Sequence, residues 1–254
     1  MEGRALSEKP VIAAEEVARL AQLLREELPS VVPGLSLTDE QVEAMGRYLV
    51  WMREKNKVMN LTGITDDAGM VRRHLIDSLA LLLAGELRGT LVDVGTGAGL
   101  PGVPVALACP SLKVTLLDSL RKRIDFLAEV CHEVPVGNAE PVWGRAEELS
   151  RGKLRARFDV ATARAVARLG ILAELCLPYV KVGGLFLPMK GGEIEGELAE
   201  AEKALSLLGG QVERVIRYTL PGEGEQMALP VIRKVRETPS RFPRRFAQMK
   251  KEGL

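Results

Sequence analysis

Residues Leu91 to Gly102 read LVDVGTGAGLPG, and no other stretch restricts the fold as tightly. Four residues suited to a buried strand run into a turn with glycines at 95, 97 and 99. A helix-compatible stretch follows, with Pro101 near its first turn, where a missing N–H does no harm. Glycines at alternate positions let the backbone turn sharply and approach a ligand with no Cβ in the way. N–H groups at the helix start favour anionic or polar ligand groups. About twenty residues on, Asp118 closes the next strand, VTLLD, where a carboxylate can accept hydrogen bonds from a ribose. The segment reads as a nucleotide-cofactor site.

Two patterns overlap in it. Gly97, Gly99 and Gly102 match GxGxxG, the dinucleotide fingerprint. Asp93, Gly95, Gly97 and Gly99, with Thr96 inside the turn, match the acidic-x-G-x-G-x-G pattern of class I methyltransferases, which bind S-adenosylmethionine. Only the second pattern uses the acidic residue two before the first glycine and starts directly after the strand. The methyl donor is therefore favoured over a nicotinamide.

The chain of 254 residues, 46% hydrophobic, can bury one good-sized core plus an accessory unit. A formal net charge of +1 supplies no global attraction to nucleic acid, so such binding must come from local basic patches. Cys109, Cys131 and Cys176 are widely spaced and read as buried structural thiols; no metal site is expected. The amino-terminal MEGRALSEKP has no apolar signal core, and no run of about twenty apolar residues occurs. A cytoplasmic protein is the expectation.

Apolar spacing predicts a helix over Ala13–Leu28, ended by Pro29. A second opens on the cap chemistry of Thr38-Asp39-Glu40-Gln41 and runs through Tyr48, Trp51 and Met52. A third spans about Asp67 to Ala84. From Leu91 short strands (LVDV, VTLLD, PVW, FDVATA, LFLPMK) alternate with helical segments, which predicts a parallel sheet with helices on both faces. QVERVIRYTL and LPVIRKV read as an antiparallel pair completing it. The expected fold is thus α/β, a Rossmann-like, mostly parallel sheet with an antiparallel strand near the C-terminus, preceded by a helical unit. The expected divisions are a helical unit at 1–86, a cofactor-binding domain at 87–236 and a basic tail at 237–254. That tail carries five basic residues against two acidic ones.

No GxSxG elbow, P-loop or HExxH occurs. Thr162-Ala163-Arg164-Ala165 stands where an amine methyltransferase usually carries an acidic or Asn-Pro-Pro-aromatic tetrapeptide, and no cysteine follows a strand end to attack pyrimidine C5. Methyl transfer to an atom already nucleophilic remains, such as guanine N7, whose in-plane lone pair needs no proton removed. Positioning and exclusion of water then matter more than a general base, and no catalytic residue is assigned. Arg164, just past a strand end, can hold a carboxylate or phosphate by paired bonds. Lys190 sits similarly after another strand. Arg72-Arg73-His74 shares a helix with Asp77 and can grip phosphates beside the cofactor mouth. Arg121, Lys122 and Arg123 crowd positive charge at a helix start, against its dipole. Trp51 and Trp143 read as core.

Asn60-Leu61-Thr62, Arg73-His74-Leu75-Ile76-Asp77-Ser78-Leu79 and the Asp93–Gly102 run together resemble the bacterial 16S ribosomal RNA guanine-N7 methyltransferases, the glucose-inhibited division protein B family. Leu117-Asp118-Ser119, Lys122-Arg123, Phe126-Leu127, Arg164-Ala165 and Lys190-Gly191 continue the match in order, over roughly residues 37 to 236. The resemblance implies S-adenosylmethionine as donor and a guanine of 16S ribosomal RNA, within the small ribosomal subunit or an assembly intermediate, as acceptor. It implies cofactor contacts at Gly95 and Leu100 in the glycine turn, ribose contact at Asp118 and adenine contact at Ala146-Glu147. Arg164 lines the site, and Arg145 and Lys190 add to a positive rim. The expected cofactor set is therefore Asp93, Gly95, Thr96, Gly97, Gly99, Leu100, Asp118, Ala146, Glu147 and Arg164. The expected RNA set is Arg73, His74, Arg123, Arg145, Arg164 and Lys190. The near-neutral charge favours a shaped ribosomal particle over naked duplex, and a monomer is expected. The chain departs from the family pattern at Gln226-Met227-Ala228-Leu229-Pro230 and after Phe242-Pro243-Arg244-Arg245.

Overall fold

The computed structural model describes residues 12–254. The segment MEGRALSEKP, read above for targeting signals, lies outside them. Helix α1 (Ala14–Glu27) passes into a 3₁₀ turn, Leu28–Ser30, carrying Pro29. Helix α2 (Asp39–Met59) begins at the expected cap: the Gln41 N–H donates to Thr38 Oγ1, and the Thr38 N–H donates to the Gln41 side chain at 2.8 Å. It ends at Asn60 in the left-handed conformation.

The third predicted helix is not uniform. It is built from α3 (Asp67–Gly69), a π-helical stretch Met70–Ile76, α4 (Asp77–Leu79) and a 3₁₀ turn Ala80–Ala84. Apolar periodicity cannot reveal this widening, because a π turn and an α turn leave nearly the same apolar pattern over so short a stretch. Such π turns are frequent at functional sites.

From there β1 (Thr90–Val94), α5 (Gly102–Ala108), β2 (Lys113–Asp118), α6 (Arg121–Glu133), β3 (Ala139–Trp143), α7 (Ala146–Leu149), β4 (Phe158–Arg164), α8 (Leu169–Cys176), β5 (Val180–Gly191), α9 (Glu195–Leu208), β6 (Gly210–Thr219) and β7 (Gln226–Lys234) follow, with α10 (Phe246–Glu252) in the tail. The seven strands form one sheet in the order β3-β2-β1-β4-β5-β7-β6, with β7 antiparallel to both neighbours. Continuing the register Phe186↔Ile232 and Lys190↔Ala228 brings Pro188 opposite Pro230, two residues without N–H groups, where ladder pairing lapses.

Each face of the sheet carries its own core. On one face Leu91, Val114 and Leu116 pack with α5, α6 and the amino-terminal helices, so Leu20, Met45 and Leu49 share a core with the strands. On the other, Val92, Val94 and Phe186 pack with α8, α9 and the tail residues Phe242 and Met249. Burial on both faces is why the central strands β1 and β4 are mostly apolar, whereas the edge strand β3 is only partly buried. Among the described residues no helix is long and apolar enough to cross a membrane.

The tail is docked, despite its basic composition. Arg155 donates to the carbonyls of Thr238, Pro239 and Phe242, and Arg151 to that of Pro243. Arg244 makes a two-pronged pair with the buried Glu174 of α8, which also accepts the Arg244 N–H at 2.7 Å. Buried lysine Lys234 donates to the carbonyls of Leu177 and Leu208, and to Thr238. Replacing Arg244 by Ala leaves Glu174 buried without its cation, and urea denaturation is expected to show a loss of about 3 kcal/mol. A loss below about 0.5 kcal/mol would mean that solvent reaches Glu174.

Candidate active site

The glycine turn after β1 is held from behind by Asp93. This carboxylate is fully buried; its Oδ2 accepts from Thr96 Oγ1 at 2.7 Å and from the Gly102 N–H at 2.8 Å. Gly95, Gly97 and Gly99 all have positive φ (73°, 62° and 103°), so a side chain at any of them would be strained. At Gly99 a Cβ would also stand 2.7 Å from Val103 and 2.8 Å from Leu127. Tyr48 of α2 braces the same turn by donating to the Ala98 carbonyl at 2.8 Å.

Two expectations change here. The start of α5 does not offer its N–H to a ligand: Asp93 takes it, and Leu100 N and Gly99 N return to the Thr96 carbonyl. Asp93 and Thr96 accordingly shape the turn from behind and do not face the cleft. Burial raises the Asp93 carboxyl to about 6, against the lowering effect of its two hydrogen bonds and of Arg164, and its Oδ1 has no partner.

In front of the turn lies a cleft of about 310 Å³ beyond the carboxyl ends of the parallel strands. Gly95, Asp118, Arg123, Arg145, Ala146, Glu147, Arg164 and Phe246 are among its lining residues. It opens where the strand order reverses, between β1 and β4, the place where open α/β sheets bind ligands. The nearly buried Asp118 accepts from the Gly97 N–H at 3.0 Å and the Leu120 N–H at 2.8 Å, with Arg123 at 3.2 Å. Arg145 pairs with Glu147 at 2.6 Å and lies over the Phe246 ring. Ala165, next to Arg164, is held at φ 56°, a strained conformation for a residue with a Cβ.

Arg164 at the end of β4 donates to Asp77 at 2.6 Å and to the Arg73 carbonyl of the π-helical stretch at 2.8 Å. Asp77 in turn accepts from the Tyr218 hydroxyl of β6 at 2.7 Å. This chain of bonds joins the amino-terminal helices, the cleft wall and the far edge of the sheet.

All six expected RNA-gripping residues have partners within the chain, and three of them, His74, Arg73 and Lys190, do not line the cleft. His74 is buried, bonded through Nε2 to Thr62 Oγ1 at 2.9 Å, and burial with Arg164 nearby lowers it to about 4; a neutral ring cannot attract phosphate. Arg73 is paired with Glu223. Lys190 donates to the Ala167 carbonyl at 3.1 Å and to Glu197 at 2.9 Å, so it pins the turn after β4 to α9. Each acidic partner is distant in sequence or on another element, which no local pattern discloses. Phe246 of the tail also lines the cleft, and its only mark in the sequence is an aromatic pair, Phe242 and Phe246, among cations. Among the described residues no cluster of His, Cys, Asp or Glu could hold a metal ion, and burial raises the Cys131 thiol to about 11.

The antiparallel β7 inserted between β5 and β6, and a first glycine placed directly after β1, separate this fold from the dinucleotide-binding arrangement. It is the class I methyltransferase fold. Among solved structures, TYW2 of M. jannaschii in complex with AdoMet superposes with a TM-score of 0.51 at 12% identity, covering 63% of this chain and 75% of that one. TYW2 of P. horikoshii in complex with MeSAdo gives 0.50 at 15% identity, covering 62% and 61%. In sequence, Ribosomal RNA small subunit methyltransferase G of Alkaliphilus oremlandii is 44% identical over 87% of this chain and 93% of its own length. The protein of the same name from Lachnoclostridium phytofermentans is 45% identical over 83% and 88%. The family model "GidB: rRNA small subunit methyltransferase G" matches residues 41–223, and the chain belongs to that family.

His74 and Asp93 make opposite contributions to acid stability. His74 is held below its unfolded value, so its contribution is full above about pH 6.5 and is lost as pH falls toward 4. Asp93 is held above its unfolded value, so its burial penalty is relieved as pH falls through about 6. In thermal melts His74→Gln is expected to flatten the acid loss between pH 6.5 and 4, and Asp93→Asn to steepen it. Parallel profiles for all three proteins would place both groups in contact with water.

Proposed function

We propose that this chain transfers a methyl group from S-adenosylmethionine to N7 of a guanine in small-subunit (16S) ribosomal RNA. The observation that carries the reading is the cleft itself. It is lined by Gly95 of the glycine turn, by the buried carboxylate of Asp118 and by the Arg164 guanidinium, fixed by Asp77. S-adenosylmethionine, when bound, supplies a methyl group on a positively charged sulfur.

The residues present fit that group. Asp118 has the burial and position to accept from ribose hydroxyls, with Arg123 able to swing out since it is held by one bond of 3.2 Å. Gly97 leaves open space where a Cβ would stand. Gly95 and Leu100 border the turn, and Ala146 and Glu147 at the start of α7 suit an adenine edge. Arg164 is the group best placed to orient the acceptor. Two of its directions are already satisfied by Asp77 and the Arg73 carbonyl, so its plane is set before any ligand arrives. Guanine N7 carries its own lone pair, and the chain therefore needs to position and to exclude water, with no proton to remove. Arg123 and Arg145 add positive charge at the rim, and small-subunit RNA inside a particle suits a chain whose net charge is only +1. A monomer working in the cytoplasm is consistent with this reading.

Asp118→Asn is expected to weaken donor binding about tenfold by calorimetry, the scale of a hydrogen bond to a charged group. Unaltered donor affinity would take Asp118 out of this role. Arg164→Lys, which keeps a cation beside Asp77, is expected to slow single-turnover methyl transfer about tenfold at saturating donor. Nucleoside analysis of under-methylated small subunits after reaction should yield N7-methylguanosine; a different methylated nucleoside would overturn the acceptor.

A further inference from the structure

The sequence pattern places both tryptophans in the core, and the structure separates them. Trp51 is buried at 3% exposure, whereas Trp143 is 56% exposed, alone among the described Phe, Trp and Tyr side chains. It ends β3, at an edge of the sheet, immediately before Gly144 and Arg145 of the cleft wall. Its indole is not loose. Nε1 donates to the Ser119 carbonyl at 3.1 Å, and the Arg121 guanidinium lies 5.7 Å from the ring centroid. Beside it Leu120 is also exposed, at 44%. Arg121 and Lys122 are exposed too, and the pair Arg121 makes with Asp125 is a solvated one that holds it weakly.

A large, oriented aromatic surface flanked by cations and left in water is what an unpaired nucleotide needs. The base stacks on the ring, and the adjoining phosphate meets the positive charge. The charge decides between occupants, since a purely apolar partner would leave Arg121 and Lys122 desolvated and unpaired. We propose that Trp143, with Leu120, Arg121 and Lys122, is a stacking platform for an unpaired base of the RNA substrate, flanking the nucleotide that enters the cleft. The proposal rests on the RNA methylation reading above. Fixing the indole before binding lowers the ordering cost of the stack.

The test is a steady-state comparison of the unaltered chain, Trp143→Ala and Trp143→Phe on under-methylated small ribosomal subunits, with donor affinity measured by calorimetry on each. Loss of the ring is expected to raise KM for the subunits about tenfold, with kcat and donor affinity little changed, and Phe is expected to recover most of the loss. An unchanged KM in Trp143→Ala overturns the platform. A parallel loss of donor affinity also overturns it, by assigning the indole to the donor pocket. If the unaltered chain methylates no such subunit, the functional reading fails by itself, and the platform is read from fluorescence. Trp51→Phe leaves Trp143 as the sole indole and removes a buried N–H that has no partner. Its emission is expected to quench saturably on adding single-stranded, protein-free small-subunit RNA. No quenching over the same range overturns the proposal.

Discussion

A buried carboxylate at the amino end of α5 is the interaction on which the site depends. The first N–H of that helix needs an acceptor, and Asp93 supplies it from the last turn of β1. The same oxygen holds Thr96, so strand end, glycine turn and helix start become one rigid unit. The turn can then present Gly95 forward, toward the cleft, while the helix N–H and the Thr96 hydroxyl are satisfied behind it. A side chain at Gly102 could not coexist with this arrangement, since its Cβ would stand 2.3 Å from Leu116 and 2.9 Å from Asp93.

The amino-terminal helices are part of the site and not a decoration on it. Tyr48 braces the glycine turn, Gln41 reaches the Leu107 carbonyl at the end of α5, the π-helical stretch offers Arg164 the Arg73 carbonyl, and α4 offers it Asp77. These bonds cross a core that is continuous from α1 to β2. The carboxy-terminal tail plays the corresponding part on the opposite face, where Arg244 and Lys234 hold it down and Phe246 closes one side of the cleft. Buried polar groups of this kind cost desolvation unless fully paired, so their value lies in fixing one geometry.

Cations illustrate why a list of charged residues is a poor map of a binding surface. Arg73, Lys190 and Arg244 look alike in sequence, yet each is committed to an acid brought near by folding. By contrast Arg121 stays exposed over the Trp143 indole, Lys122 next to it in α6 is exposed as well, and Arg145, though paired with Glu147, lines the cleft. A net charge near zero is therefore compatible with a locally positive rim.

The sequence by itself determined the strand–turn–helix at Leu91–Gly102, the acid at the end of β2, the alternation that builds a parallel sheet and the capped start of α2. Each is written in contacts between residues close in the chain, where glycine conformations, apolar period and cap chemistry act directly. Tertiary structure alone decided that Asp93 faces inward, that His74 is neutral, that the third helix widens into a π turn and that the basic tail is docked. It also decided that one tryptophan is buried while the other stands in water. These outcomes turn on partners tens of residues away, such as Asp77 for Arg164 and Glu174 for Arg244. Whether a charge or a ring meets such a partner or meets water is settled only when the chain has closed around it.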